Sequence, residues 1–243
     1  YKKGIQGTTP KMGVWISGFF GSGKSHFLKI LSYLLSNQEV CGKRAIDYFA
    51  DKFDDPMMYA QAVKSVSVPT QSILFNIDIE GPLTKDKTAV LRVFAKMFYN
   101  HCGFYGDDLK IAKLERFIEK QGKTQQFREA FEKVNGAPWT ETRDSFAFFE
   151  DDIVSVLQST LGMSEQAARN WFNGEETNEL SIAQLVADIQ EYVDGKGKDF
   201  RLLFMVDEVG QYIGDDGDLM INLQSLVAVS YTHLRAHETP EHL

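Results

Sequence analysis

One glycine-rich stretch of eight residues, Gly18–Ser25, constrains the fold of this chain more than any other part of it. Its letters, GFFGSGKS, match the pattern G-x-x-x-x-G-K-[ST], in which glycines allow left-handed backbone and let N–H groups surround an anion. The apolar run Val14–Ser17 before the stretch predicts a buried strand, and apolar residues at helical spacing over 26–35 predict a helix after it. A phosphate-binding loop requires this order of strand, loop and helix.

The residue types in this loop suit a nucleotide and its magnesium ion. We expect Lys24 to reach the β- and γ-phosphates and the Ser25 hydroxyl to bind Mg²⁺. The helix that begins here adds unpaired N–H groups and the positive end of its dipole. The cofactors expected from the loop are therefore ATP and Mg²⁺. The nucleotide-binding residues expected are Gly18, Phe19, Phe20, Gly21, Ser22, Gly23, Lys24, Ser25 and His26.

A second apolar segment, far downstream of the loop, ends in two acidic residues. Residues 200–206 read FRLLFMV and predict a fully buried strand, and Asp207 and Glu208 follow it. Downstream of a phosphate-binding loop, this pattern is typical of a Walker B element. We expect Asp207 to hold Mg²⁺ through the water shell of the ion, and Glu208 to orient and deprotonate the attacking water. The predicted catalytic residues are thus Glu208 and Lys24, and the predicted metal residues are Ser25 and Asp207.

Between these two elements lie another strand and a long helical region. Residues 72–79 alternate in polarity, which predicts a strand with one apolar face and one polar face that looks toward either the nucleotide or solvent. The apolar face comprises Phe75, Ile77 and Ile79, and the polar face comprises Asn76, Asp78 and Glu80. From residue 87 to about 193, apolar and aromatic stripes recur at helical spacing, which favours helix core over a base-stacking surface.

These elements predict an α/β fold with a parallel sheet and a large α-helical insert. We assign residues 1–102 to the first part of the core, 103–178 to the insert, 179–227 to the rest of the core and 228–243 to a tail. The tail resembles translated sequencing-adapter read-through, so we exclude it from fold reasoning. For the same reason, we do not interpret its His233, His237 and His242 as a metal site.

Composition limits the class of protein. The chain has 243 residues, 43% hydrophobic and 25% charged, as in globular domains. No apolar run approaches the ~18 residues of a membrane helix and no secretory signal opens the chain, so we expect a cytoplasmic protein without membrane contact. Cys41 and Cys102 are expected to be reduced thiols. A net charge of −8 gives no general attraction for nucleic acid. Because the first residue is Tyr1, we expect a fragment.

The two nucleotide motifs, separated by an extra strand, resemble the additional-strand catalytic-glutamate (ASCE) division of P-loop ATPases, which includes the AAA+ proteins. Longer strings at residues 14–35, 51–56, 73–78 and 204–212 resemble the BrxC/PglY ATPases of BREX bacteriophage-exclusion systems. Members of that family are much longer, so the resemblance implies part of an N-terminal ATPase domain. It also implies homo-oligomers, partners that include a DNA methyltransferase and other BREX proteins, and DNA in the full assembly.

Two other functions share the same loop. A small-molecule kinase usually carries its Walker B acid on the strand next to the P-loop strand and needs no adjacent glutamate. Glu208 and the intervening strand therefore weigh against a kinase. A nucleotide-gated scaffold that binds ATP with negligible turnover is left open by the sequence.

Overall fold

A computed structural model describes residues 13–19, 21–82, 84–173 and 180–236, with side chains up to Ala228. The α-helices are α1 (Lys24–Ser36), α2 (Pro56–Ser65), α3 (Ile77–Glu80), α4 (Ala89–His101), α5 (Leu109–Lys120), α6 (Thr124–Asn135), α7 (Trp139–Thr142), α8 (Glu150–Leu161), α9 (Glu165–Asn173), α10 (Ile182–Lys196), α11 (Val209–Ile213) and α12 (Gly217–Ala236). The strands are β1 (Glu39–Val40), β2 (Lys43–Arg44), β3 (Thr70–Asn76) and β4 (Arg201–Asp207), and 3₁₀ helices cover Ala45–Lys52 and Arg143–Phe148.

The described residues form two compact units. One comprises the described parts of Tyr1–Val93 and Ser181–Leu243, and the other is Phe94–Leu180. The first unit contains β3 and β4, which pair in parallel, and the regular elements described in the second are all helices. This arrangement confirms the α/β class, the parallel sheet and the helical insertion between the two strands.

The pairing of β3 with β4 sets the position of the predicted acids. Its register runs from Thr70 opposite Arg201 to Asn76 opposite Asp207. Parallel strands place their carboxyl ends at the same edge, where ligands of open α/β sheets gather. Asp207 and the turn that follows Asn76 therefore lie side by side at that edge.

β3 is shorter than its alternating pattern predicted. The strand ends at Asn76, because the side chain of that residue accepts hydrogen bonds from the N–H groups of Asp78 and Ile79 and begins α3. Phe75 and Ile77 are buried as expected, but Ile79 is 77% exposed. The prediction of a single strand face through residue 79 is therefore wrong, since the Asn76 cap turns the chain.

The segment before the glycine loop also differs from its prediction. Residues 13–19 form no strand, and Val14 and Trp15 are 86% and 61% exposed. β4, expected to be fully buried, is mostly half-buried, with Met205 as its buried residue. The half-burial of β4 has a physical cause. In the described part of the chain, β3 and β4 have only each other as partners, so apolar strand residues lack the second neighbour that would cover them.

Helix α1 lies against β3 through a cluster of serine hydroxyls. Ser32 Oγ and Ser36 Oγ each lie 2.7 Å from Ser72 Oγ, and Ser32 is buried. Buried hydroxyls need such partners, because an unpaired one would lose its hydration without compensation. The contact fixes the helix that follows the glycine loop to the strand that neighbours the acidic strand.

The helical unit packs around its aromatic residues. Phe127, Phe131 and Trp139 are buried, with ring centroids 5.0–6.3 Å apart. The predicted aromatic stripes are thus helix core, with exceptions such as Val134, which is exposed. Glu115, a buried carboxylate of this unit, accepts hydrogen bonds from the Trp139 indole, the Arg143 guanidinium and the backbone N–H of Tyr105.

Helix boundaries near the chain ends follow local signals. Helix α2 begins at such a signal, since the Asp55 side chain accepts a hydrogen bond from the N–H of Met57 and Pro56 occupies the first turn. Helix α12 continues past the predicted end of the natural sequence at Val227 to Ala236. His237 and His242 lie outside the described residues, and the side chain of His233 is not described.

Candidate functional site

Two glycines of the loop adopt the backbone that their residue type permits. Gly21 has φ 76° and Gly23 has φ 84°, both left-handed, and the space where a Cβ would stand is open at each. The N–H of Ser22 donates to the Phe19 carbonyl over 3.1 Å, which closes a tight turn between them. Phe20, also predicted to contact the nucleotide, lies outside the described residues. A side chain at either glycine would strain the loop.

The lysine of the motif folds back over the loop. Lys24 Nζ donates to the Gly18 carbonyl over 3.0 Å and to the Phe19 carbonyl over 2.9 Å. A Cβ at Gly18 would stand 2.8 Å from Ser22 Oγ, so a larger residue there would require the Ser22 hydroxyl to move. The ammonium group therefore lies at the loop backbone, where a phosphate oxygen can compete for its protons.

Helix α1 begins where the motif requires. Its first bond runs from the Phe27 N–H to the Gly23 carbonyl over 2.9 Å, and Gly23 offers no capping side chain. The N–H groups of the first turn, including those of Ser25 and His26, have no intrahelical acceptor and carry the positive end of the helix dipole. Ser25 and His26 are exposed, as a ligand on this side of the helix demands.

The chain turns between the two acids at the end of β4. Asp207 is the last strand residue, and Glu208 has φ 58° and ψ 22°, a left-handed conformation unusual for a residue with a Cβ. The N–H of Glu208 donates to Asp207 Oδ1 over 3.0 Å. The turn that would let two adjacent acids serve different roles is therefore present.

The structure brings the glycine loop and the acid pair into one compact unit. Helix α1 is tied to β3 through Ser72, and β3 pairs with β4 up to Asp207. Among the described residues, no hydrogen bond or ion pair joins the loop to Asp207 or Glu208. A ligand shared by the glycine loop and the acid pair would therefore have to bridge the two elements itself.

The donor set fits magnesium that arrives with phosphate. The Ser25 hydroxyl and the Asp207 carboxylate are hard oxygen donors, which Mg²⁺ prefers in small number beside phosphate oxygens. Across the described residues, no group of three or more His, Cys, Asp or Glu side chains converges as a metal site. A magnesium ion held here would depend on the nucleotide for its other ligands.

Sequence reasoning missed a cluster beside Glu208. Lys85 Nζ donates to the Tyr212 carbonyl over 3.0 Å and lies 4.1 Å from the centroid of the Tyr212 ring. Gln211 Nε2 donates to Asp78 Oδ2 over 3.3 Å. No local pattern could have found this cluster, because Lys85 and Tyr212 are 127 residues apart.

The environment of Tyr212 affects the acidity of its phenol. Burial raises the pKa of Tyr212, the charges of Asp78 and Asp86 raise it further, and Arg92 opposes the rise. The Tyr212 hydroxyl is buried and has no hydrogen-bond partner within the described structure. The phenol is therefore neutral at ordinary pH. The Tyr212 ring contributes through its packing and through the contact of its face with the Lys85 ammonium.

Comparison with known proteins supports the motif assignment. Residues 2–224 match the KAP family P-loop domain, an NTPase family. No solved structure matches the chain. None of the helices within the described residues is both long and apolar enough to cross a membrane. Because the match covers most of the 243 residues, the chain belongs to the KAP family of P-loop NTPases.

Proposed function

We propose that this domain binds ATP with Mg²⁺ and hydrolyses it to ADP and phosphate. The observation that carries the proposal is the left-handed pair Gly21 and Gly23 directly before α1, in the same unit as a parallel strand that ends in Asp207 and Glu208. The family match supports nucleotide binding and hydrolysis in general. The choice of ATP and the residue roles below are ours.

Each residue has one role in this proposal. Lys24 leaves the loop carbonyls to bind the β- and γ-phosphates, and backbone N–H groups of the loop and of α1 surround them. Ser25 and Asp207 hold the magnesium ion, whose charge offsets the charge of the phosphates. Glu208, at the left-handed turn after Asp207, accepts a proton from the attacking water. Hydrolysis then needs only positioning and charge stabilisation from the protein.

We further propose that the domain serves a BREX anti-phage defence protein, as a cytoplasmic homo-oligomer that couples hydrolysis to conformational change. The support is the resemblance of strings such as 204–212 to BrxC/PglY ATPases. A DNA methyltransferase, other BREX proteins and DNA are the partners that this resemblance implies. Loss of phage restriction in cells that carry Lys24→Ala, with unchanged protein level, is the expected result. Retained restriction would contradict this assignment and leave the ATPase proposal standing.

ATP titration and turnover test the chemistry. Lys24→Ala should weaken ATP affinity about ten- to a hundredfold, since a charge-assisted contact contributes roughly 1.5–3 kcal/mol. The fold should persist, because Lys24 contacts only loop carbonyls. Lys29→Ala, on the exposed side of α1, is the matched control and should leave affinity unchanged. Unchanged affinity in Lys24→Ala would remove the loop assignment.

Turnover separates the ATPase from its two alternatives. Release of phosphate from ATP by the protein, alone or with DNA, supports hydrolysis. ATP binding without turnover under both conditions indicates the nucleotide-gated scaffold. Transfer of the phosphate to a metabolite indicates a small-molecule kinase.

A further inference from the structure

The conformation of Glu208 needs support from its surroundings. A left-handed backbone (φ 58°, ψ 22°) places a Cβ close to the following carbonyl oxygen, so such a residue persists only where neighbouring contacts hold it. Its own described hydrogen bonds are the N–H to Asp207 Oδ1 and the carbonyl that accepts from the Tyr212 N–H over 3.0 Å. The second bond belongs to α11, so whatever holds α11 also holds Glu208.

Five residues bind α11 to the turn that follows β3, and we call them the α11 clasp. They are Asp78, Gly81, Lys85, Gln211 and Tyr212. Tyr212 is 2% exposed and is the buried centre of the clasp. All five lie in the same compact unit as Glu208.

Gly81 lets the Tyr212 ring approach the backbone of the turn. A Cβ at Gly81 would stand 2.6 Å from Tyr212 Cε2 and 2.7 Å from the Ile77 carbonyl oxygen. No real Cβ tolerates either distance, and the carbonyl cannot move as a side chain could. Glycine at this position is therefore a packing requirement of the clasp rather than a turn requirement.

Lys85 joins the clasp at three points. Its ammonium donates to the Tyr212 carbonyl, faces the Tyr212 ring at 4.1 Å, and lies 3.8 Å from Asp78 Oδ1. Asp78 in turn accepts from Gln211 of α11. The positive charge thus rests between the C-terminal end of α11, a ring face and a carboxylate, each of which attracts a cation. The Lys85 ammonium contacts all three of these protein groups, which indicates that its charge has a structural role.

We infer that Lys85 is a positioning residue, which holds Glu208 in its left-handed conformation by fixing α11 through the Tyr212 carbonyl and ring. The inference rests on the proposed hydrolysis, in which Glu208 accepts the proton of water. Lys85 itself touches neither nucleotide nor water in this scheme. Without it, α11 loses the contacts of Lys85 with the Tyr212 carbonyl and ring, the Gln211–Asp78 hydrogen bond and the packing of Tyr212 on Gly81 hold α11 less firmly, and Glu208 can relax to an ordinary conformation with its carboxylate displaced.

Kinetics test the link between Lys85 and Glu208. Lys85→Ala should lower the single-turnover hydrolysis rate about 10–100-fold and leave ATP–Mg²⁺ affinity within about twofold, because displacement of a catalytic group costs rate rather than binding. Lys85→Arg should restore the rate, since a guanidinium keeps the carbonyl and ring contacts. In the Glu208→Gln protein, Lys85→Ala should lower the rate by less than about threefold, because residues that act through one another are not additive. Lys64→Ala, at an exposed lysine of α2, is the control.

Hydrogen–deuterium exchange tests the clasp without reference to activity. Lys85→Ala should speed exchange at residues 208–213, and Lys64→Ala should not. Unchanged exchange at residues 208–213 in Lys85→Ala would overturn the inference. So would an unchanged hydrolysis rate or a tenfold loss of ATP affinity in Lys85→Ala. A loss of hydrolysis rate in the double variant equal to the sum of the two single losses would also overturn it. Absence of hydrolysis in the unsubstituted protein would remove the proposed function, while exchange would still decide whether Lys85 holds this segment. If Lys85→Ala fails to fold, Lys85→Met, which keeps the stem, replaces it in every measurement.

Discussion

At the scale of single residues, the chain places two adjacent acids in different conformations. Asp207 ends β4 with strand geometry, and Glu208 turns into the left-handed region. Neighbouring strand residues point to opposite faces, so two acids could not serve one site without this turn. The backbone conformation therefore supports different roles for Asp207 and Glu208, which the sequence of the two residues permitted but did not require.

Substitution of each acid should separate binding from hydrolysis. Glu208→Gln should bind ATP–Mg²⁺ normally and hydrolyse it slower by a factor of order 10²–10⁴, because a general base acts only in the transition state. Asp207→Asn should weaken Mg²⁺-dependent binding as well. Paired titration and single-turnover measurements on both variants provide the check. Wild-type hydrolysis by Glu208→Gln would exclude Glu208 as the base and favour the scaffold.

At the scale of elements, Asp86, three residues before α4, organises the start of that helix. Asp86 Oδ1 accepts from the hydroxyl and the N–H of Thr88, and Asp86 Oδ2 accepts from Arg92 over 2.6 Å. Hydrogen bonds from Thr88 first, and then the charge of Arg92, hold the pKa of Asp86 below its ordinary value of 3.8. The ionised carboxylate therefore stabilises the folded state.

The sign of this shift predicts how stability varies with pH. A carboxyl with a lowered folded-state pKa stabilises the protein above its unfolded value of 3.8, and this contribution is lost as pH falls through the folded pKa. Asp86→Asn should thus lower the free energy of unfolding at pH 7 and lower it progressively less below pH ~4, and the difference should be small because solvent screens a carboxylate that is 47% exposed. Urea denaturation from pH 7 to pH 3 measures the difference. Asp215→Asn, at an exposed carboxylate, should show no such trend, and a constant deficit in Asp86→Asn would contradict the assignment.

At the scale of the whole molecule, the proposed nucleotide site lies within one of the two compact units. Every proposed phosphate, metal and base residue lies in the unit that contains β3 and β4, and the helical unit Phe94–Leu180 has its own aromatic core. Units with separate cores can lose stability separately, since each has its own buried apolar surface.

A core substitution should expose this separation. Phe131→Ala removes a fully buried ring from the helical unit and should cost it about 3–5 kcal/mol, with ATP affinity unchanged while that unit remains folded. Phe148→Ala, at a ring 86% exposed in the same unit, should cost no more than about 0.5 kcal/mol. Denaturation followed by circular dichroism, with ATP titration below the transition, measures both. Parallel loss of ATP affinity and helical stability in Phe131→Ala would show that the units are not independent.

The sequence by itself determined those features that depend on contiguous residues. The left-handed glycines of 18–25, a helix after the loop and the end of β4 at the acid pair follow from local residue types. The helical core between the strands follows from apolar spacing, because each stripe marks the buried face of its own helix. Nucleotide contact itself was predicted from this local chemistry and stays a prediction.

Only the tertiary structure decided what depends on partners distant in sequence. The register of Asn76 with Asp207, the exposure of residues 14–17 and the contact of Lys85 with Tyr212 all depend on which segments meet. An apolar strand is buried only if another strand covers it, and a lysine supports a helix only if folding brings that helix to it. Hydrophobic periodicity identifies the buried face of a single segment, but only the tertiary structure shows which other segment packs against that face.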